Sequence, residues 1–311
     1  MNAIVTGGSG FLGQHLVAAL EAEGANVYLT NRVGSNLMDP ARLCATFKQV
    51  SPIDCVFHLA ADCGGIAYNA NADGDELFHT NAVMGLNVLH AAYTARAKRV
   101  VCVGTVCSYP ATPHHIPFHE VELFAGQPEP TNAAYGYAKR LTILAQAAYP
   151  DMLCLNPILA NLYGPGDSFT IERAHVIPAI ILKIHATMMR RGGCQCVLLG
   201  HPEVTRDFLY VDDAVDALVA VAANRETAMP INIGTGIETS IGDVAELIAR
   251  EMGYDGALAF NGELPGQQRR VLDVTRARDK LNWTAQTTLA QGIKQTVAWA
   301  RENVLTRGAP V

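Results

Sequence analysis

The chain is short of charge, of aromatic rings and of long apolar runs. Only 17% of its 311 residues are charged and 7% are aromatic; the net charge is −6 and the pI about 5.9. Without a basic excess, a nucleic-acid polymer is disfavoured as partner, because phosphate contacts need clustered cations. No apolar run reaches the ~18 residues that a membrane span requires. One of the longest, Val176-Ile177-Pro178-Ala179-Ile180-Ile181-Leu182, is interrupted by Pro178 and stopped by Lys183. The start, Met1-Asn2-Ala3-Ile4-Val5-Thr6, lacks a basic segment and runs straight into glycines, unlike a signal peptide. The eight cysteines contain no Cys-x-x-Cys pair. That usage predicts a reduced, cytoplasmic protein rather than a disulfide scaffold. Cys194-Gln195-Cys196 has no second thiol pair nearby and makes a poor zinc site, so no metal is expected. What is plentiful is apolar residue: 50% of the chain, with a mean hydropathy of +0.14. A chain of this length buries about three quarters of its unfolded surface and needs no staple.

Apolar runs of strand type alternate with helical patterns. Ala3-Ile4-Val5 precedes Gly7-x-x-Gly10-x-x-Gly13, and a helical pattern with Leu16, Val17 and Leu20 follows from Gln14 to Glu23. Strand, glycine turn, helix is the context in which such a motif binds a dinucleotide pyrophosphate at a helix N-terminus. Gly7, Gly10, Phe11, Leu12 and Gly13 are therefore candidate cofactor residues, although an ordinary tight turn has the same pattern. Asn26-Val27-Tyr28-Leu29-Thr30 reads as the second strand. No acid for ribose hydroxyls stands at its end; Arg32 does, suited to a 2′-phosphate. This points to NADP(H), with a solvated surface arginine as the alternative. Val56-Phe57-His58-Leu59-Ala60-Ala61 reads as a buried strand whose last residues, Leu59, Ala60 and Ala61, let a cofactor pass close. Helices are expected over Leu77–Ala97 and Tyr135–Tyr149, the latter opened by Thr131-Asn132 and stopped by Pro150; strands are expected over Arg99–Thr105 and Met152–Asn156. This alternation predicts an α/β protein with a doubly wound parallel sheet of Rossmann type.

Thr105 falls at the C-terminal end of its strand, where open α/β sheets bind ligands. Tyr135 and Lys139 lie four residues apart on one helix face, and no other tyrosine of the ten has a lysine at that spacing. An ammonium beside a phenol favours the phenolate, so Tyr135 is expected to have a lowered pKa and to act as acid and base, with Thr105 bonded to the substrate oxygen. A surface tyrosine–lysine pair is the bland alternative, made weak by the glycine turn and strand-end threonine that precede it.

These residues resemble the extended short-chain dehydrogenase/reductase superfamily and, within it, the GDP-L-fucose synthases. Gly64-Gly65-Ile66-Ala67-x-Asn69, Gly104-Thr105-Val106-Cys107-Ser108-Tyr109-Pro110, Glu129-Pro130-Thr131-Asn132, Asn161-Leu162-Tyr163-Gly164-Pro165, His175-Val176-Ile177-Pro178 and Arg206-Asp207-Phe208-Leu209-Tyr210-Val211-Asp212-Asp213 carry the likeness across most of the chain. The resemblance implies NADPH-dependent 3,5-epimerisation and 4-reduction of a nucleotide-4-keto-6-deoxyhexose, GDP-linked above all. It implies Cys107 and His175 as the epimerisation pair; Thr105, Tyr135 and Lys139 for reduction; and Asn161, His175, Lys183, Arg206 and Arg270 around the sugar nucleotide. It also implies a homodimer built through helices near 77–97 and 135–149. Two departures stand out: threonine replaces the family's serine at Thr105, and Leu199 replaces a frequent tryptophan. Leu199 leaves open a different nucleotide-linked ketosugar. A 4,6-dehydratase is disfavoured because Val106-Cys107 follows Thr105 where an Asp-Glu pair is usual. A non-catalytic dinucleotide-binding protein is disfavoured because Tyr135 and Lys139 are intact. The expected division is a cofactor domain over 1–162 with about 206–235, and a smaller sugar-nucleotide domain over about 163–205 with 236–311.

Overall fold

The computed structural model describes residues 1–30, 36–65, 68–69, 72–190, 195–224, 229–263 and 266–307. Arg32 and Cys194, singled out above, lie outside the described residues. The first half alternates β1 (Asn2–Thr6), α1 (Phe11–Ala22), β2 (Asn26–Thr30), α2 (Pro40–Val50), β3 (Cys55–His58), α3 (Gly74–Thr94), β4 (Arg99–Cys102) and β5 (Gly104–Thr105). Then come α4 (Ala133–Ala145), β6 (Leu153–Leu155), β7 (Pro157–Leu159), β8 (Asn161–Tyr163) and α5 (Val176–Met189). The remainder includes β9 (Cys196–Leu198), β10 (Thr205–Arg206), β11 (Phe208–Tyr210), α6 (Val211–Ala223), β12 (Ile231–Ile233), β13 (Thr239–Ser240), α7 (Ile241–Met252), β14 (Leu258–Phe260), β15 (Arg269–Arg270), α8 (Thr275–Leu281) and α9 (Leu289–Asn303).

The main sheet has the order β2-β1-β3-β4-β6 and is parallel throughout, with Val5 opposite Phe57 and Val56 opposite Val100. β5, β7 and β12 carry the parallel pairing on in a second ladder. The strand expected over Arg99–Thr105 is thus interrupted at Val103, and its two halves pair with successive pieces of the next strand. Strand direction is common to all, so every β–α turn opens at one edge. β2 and β3 flank β1 on opposite sides, and the crevice between the diverging turns after β1 and β3 is where such a sheet takes a ligand.

Alternation along the strands divides the apolar residues between two cores. Ala3, Val5, Phe57 and Val101 face α1 and α6, where Leu16, Leu20, Leu218 and Val221 meet them. Ile4, Val56, Val100 and Cys102 face α2 and α3, against Leu43, Phe47, Val88 and Leu89. The sheet is therefore buried on both faces, as the near-continuous apolar runs require. A third core joins Ile177, Ile181 and Ile184 of α5 to Val244 and Ile248 of α7, Leu198 of β9 and Val297 of α9. Residues 271–285, expected with the sugar-nucleotide lobe, place Leu272, Ala277 and Trp283 in the first core instead. No helix among the described residues is long and apolar enough to cross a membrane.

Helix ends shift from the sequence expectation. α1 begins at Phe11, not Gln14, because Gly10 is already extended and serves as its N-cap. α4 stops at Ala145 and passes into a single 3₁₀ turn before Pro150, so the proline ends a segment already unwinding. Phe57 is wholly buried in the first core. Phe57→Ala should cost about 3–5 kcal/mol in urea unfolding, since the cavity lies under packed strands that cannot collapse.

Candidate active site

The turn after β1 is tight. Gly7 has φ +73°, and a Cβ there would lie 2.7 Å from the Ala60 backbone nitrogen. A Cβ on Gly13 would lie 2.1 Å from the Gly7 carbonyl oxygen. These contacts bring the turn, the start of α1 and the Leu59-Ala60-Ala61 segment together along one wall of a cleft of about 1770 Å³. The first residues of α1 line it, and a helix N-terminus suits a pyrophosphate. At the end of β2 the Thr30 hydroxyl is buried and has no hydrogen-bond partner among the described residues, at the strand end where a dinucleotide's adenosine ribose would sit. The residues present thus fit the cofactor expected from sequence. Gly7, Gly10, Phe11, Leu12, Gly13, Leu59, Ala60 and Ala61 all line the cleft.

The same cleft gathers Thr105, Cys107, Tyr135, Lys139, Asn161, His175, Lys183, Arg206 and Arg270. Every site residue expected from sequence is present except Arg32, which lies outside the described residues. Thr105 closes β5 and caps the 3₁₀ turn Val106–Ser108, its Oγ1 accepting from the Cys107 amide at 3.2 Å. Among the described residues no acceptor takes its hydroxyl hydrogen, which can serve a ligand. Lys139 Nζ lies 5.7 Å from the Tyr135 ring centre.

The charge state of Tyr135 departs from expectation. Burial pushes its pKa well up, and the neighbouring Cys63 and Cys107 thiols act in the same direction. Burial also lowers the Lys139 pKa. Desolvation sets the direction, against the lowering expected from the ammonium, so Tyr135 rests as a proton donor. Cys63, hydrogen-bonded to Tyr135, was given no role in the sequence reading.

His175 is the N-cap residue of α5 and half-exposed to the cleft. Its Nδ1 meets Asp167 Oδ1 at 3.1 Å, and that carboxylate is almost completely buried. Burial alone would lower the imidazole pKa; the hydrogen bond and charge of Asp167 prevail and raise it. Asp167 is also anchored by the Ser168 amide at 2.7 Å. Sequence reasoning missed it, because Asp167 and His175 lie on the connection between β8 and α5, where no periodic pattern sets which side chains meet.

The cations are distributed unequally. Lys183 is exposed on α5 at the cleft, with Nζ donating to the Val197 carbonyl at 3.3 Å. Arg206 is buried, and burial together with nearby Arg270 lowers its pKa to about 9. Arg270 is buried beside Cys107, 3.6 Å from Glu129. Asn161 donates to the Asp207 carbonyl at 3.0 Å.

Residues 3–234 match the NAD dependent epimerase/dehydratase family. The chain belongs to this family. Within it, the chain is 32% identical to GDP-L-fucose synthase 1 of Arabidopsis thaliana, over 97% of this chain and 94% of that protein. It is 32% identical to GDP-L-fucose synthase of Escherichia coli strain K12, over 96% of each. The crystal structure of a GDP-L-fucose synthetase from Naegleria fowleri bound to NADP superposes with a TM-score of 0.87 at 28% identity, covering 99% of this chain and 94% of that one. The doubly wound fold and glycine turn of this family are those reached from the residues.

A histidine raised above its ordinary value of 6.5 adds stability that is fully present below that value and lost as pH rises through the raised one. Asp167→Asn should therefore bring the His175 titration down when followed by NMR. The stability gap between wild type and variant should be wider at about pH 6 than at about pH 9.

Proposed function

We propose that the protein is an NADPH-dependent epimerase/reductase that converts GDP-4-keto-6-deoxymannose to GDP-L-fucose. The observation that carries this reading is the convergence in one cleft of two proton-exchanging groups, Cys107 and His175, with the Thr105–Tyr135–Lys139 set. The names of the relatives agree with it. In such a substrate, carbons 3 and 5 flank the carbon-4 ketone, so their protons are acidic and inversion needs a base on one face and an acid on the other. Cys107 withdraws a proton, and His175, whose protonated form Asp167 favours, returns one. Thr105 and Tyr135 donate hydrogen bonds to the ketone oxygen and stabilise the enolate charge that builds there. Tyr135, resting as a phenol, then gives its proton to that oxygen during reduction. A bound NADPH would supply the hydride for carbon 4, and Lys139 would hold its nicotinamide ribose.

Asn161, Lys183, Arg206 and Arg270 bind the sugar nucleotide; the two buried guanidiniums share one nearby carboxylate, Glu129, and leave an excess of positive charge for a diphosphate. The cofactor domain is proposed as 1–162 with about 206–235, joined by 271–285, and the sugar-nucleotide domain as about 163–205 with the rest of 236–311. The proposed homodimer joins the α3 and α4 faces, where Phe78 and Leu144 stay exposed. A reduced cytoplasmic setting accords with the free thiols of Cys55, Cys102, Cys107, Cys154 and Cys196.

The test is NADPH oxidation against a panel of nucleotide-4-ketosugars, with product stereochemistry read by NMR. The GDP-linked 4-keto-6-deoxymannose should be the preferred substrate and yield inverted carbons 3 and 5. Tyr135→Phe should lose about 10²-fold or more of the reduction rate, whereas Cys107→Ser should leave slow reduction of the unepimerised ketone. Preference for another nucleotide base, or product with unchanged carbons 3 and 5, would replace this reading.

A further inference from the structure

The Cys107 sulfur lies between two side chains of opposite hydrogen-bonding sense. Its S–H points to Asn132 Oδ1 at 3.8 Å, and Arg270 Nη1 donates to the sulfur at 3.6 Å. The acceptor is held in one orientation. Asn132 is 4% exposed, and its Nδ2 donates to Glu129 Oε2 at 2.8 Å and to Thr131 Oγ1 at 3.0 Å. Its Oδ1 also accepts from Asn69 Nδ2 at 3.0 Å. Flipping this amide would set its NH₂ against the NH₂ of Asn69 and lose both bonds to the 129–131 turn. The donor is held as well: Arg270 Nε gives to Gln267 Oε1 at 3.0 Å, and its Nη2 is 3.6 Å from Glu129 Oε2. One buried carboxylate, Glu129, therefore orients the group that receives from the thiol and the group that donates to it. Burial would raise the Glu129 pKa, but bonds from Thr131 and Asn132 and the charge of Arg270 lower it, so the anchor stays ionised.

We propose that Glu129, Asn132 and Arg270 form a two-sided clamp that lets Cys107 alternate between proton donor and proton acceptor. With the proton on sulfur, the S–H bonds to Asn132. When the proton passes to a substrate carbon, the thiolate left behind accepts from Arg270; in the reverse direction the carbon's proton goes to sulfur and its electron pair to the ketone oxygen. A residue that must be found in both states needs a partner for each, and an apolar pocket would favour only the thiol. Among the described residues Arg206, Tyr135 and Cys63 also feel the Cys107 charge, and none of them replaces the fixed acceptor. Asn132 and Glu129 are positioning residues here, and Arg270 gains a duty beyond holding the sugar nucleotide. The inference rests on the reading of Cys107 as an epimerisation residue.

The experiment follows deuterium entering carbons 3 and 5 of GDP-4-keto-6-deoxymannose from D₂O, beside NADPH oxidation on the already epimerised ketone. Asn132→Ala should lower the kcat of exchange by about tenfold or more with KM changed less than about threefold, while reduction of the epimerised ketone persists. Persistent reduction also shows that the variant is folded. Arg270→Met should lower the exchange kcat, and Arg270→Lys, which can still donate to sulfur, should recover part of it. Exchange unchanged in Asn132→Ala, or exchange and reduction falling together, would overturn the clamp. Wild-type exchange in Cys107→Ser would instead overturn the reading of Cys107 itself, and the clamp with it.

Discussion

Backbone meeting backbone between β1 and β3 is the constraint on which the cleft depends. Gly7 has no side chain because Ala60 occupies the place where one would go. That contact sets the spacing between the two turns at the point where the sheet order diverges. It leaves the amides of α1 open on one side and brings Leu59-Ala60-Ala61 alongside Thr105 and Tyr135 on the other. The sheet behind can hold this geometry because both of its faces are packed, with Ala3, Val5 and Phe57 against one core and Ile4 and Val56 against another. A rigid platform with exposed turns is the usual way a parallel sheet keeps reactive groups in fixed register.

Within the cleft, desolvation acts on every ionisable group, and partners decide which way each settles. Tyr135 has thiols for neighbours and no nearby charge strong enough to offset burial, so it keeps its proton. His175 has Asp167, and its charged form is favoured although burial opposes it. Glu129 accepts from the Thr131 amide, the Thr131 hydroxyl and the Asn132 side-chain amide, has a guanidinium nearby, and stays ionised. The outcome is a phenol that gives a proton, an imidazole disposed to carry one, and a thiol placed between acceptor and donor. The proposed chemistry, proton exchange at two carbons and hydride delivery at a third, requires such a division of labour around a single ketone oxygen.

Much of this was legible in the residues. The strand–glycine turn–helix and the alternation of strands and helices specify a doubly wound sheet, because periodicity and turn chemistry are local properties. Thr105, Tyr135 and Lys139 were legible because a strand end and an i,i+4 spacing are local as well. The interruption at Val103 was not, since it comes from pairing with β6 and β7, about fifty residues further on. Asp167, Cys63 and Asn132 were missed as functional residues because each acts through a partner distant in sequence or outside any periodic pattern. The Tyr135 pKa was misjudged because a sequence shows the lysine nearby but not how thoroughly the pair is buried. The place of Arg270 beside Cys107 depends on the pairing of β15 with β10, which sets Arg270 opposite Arg206 about sixty residues earlier.

The central claim is that one oxygen site, formed by Thr105 and Tyr135, serves both proton exchange and reduction. The most direct measurement is solvent-deuterium exchange at carbons 3 and 5 of the 4-ketosugar by Tyr135→Phe in the absence of NADPH, where no reduction can occur. The account predicts that exchange slows by about tenfold or more, because the enolate loses a hydrogen-bond donor. Exchange at the wild-type rate would mean that epimerisation does not use this oxygen site, and would contradict the account.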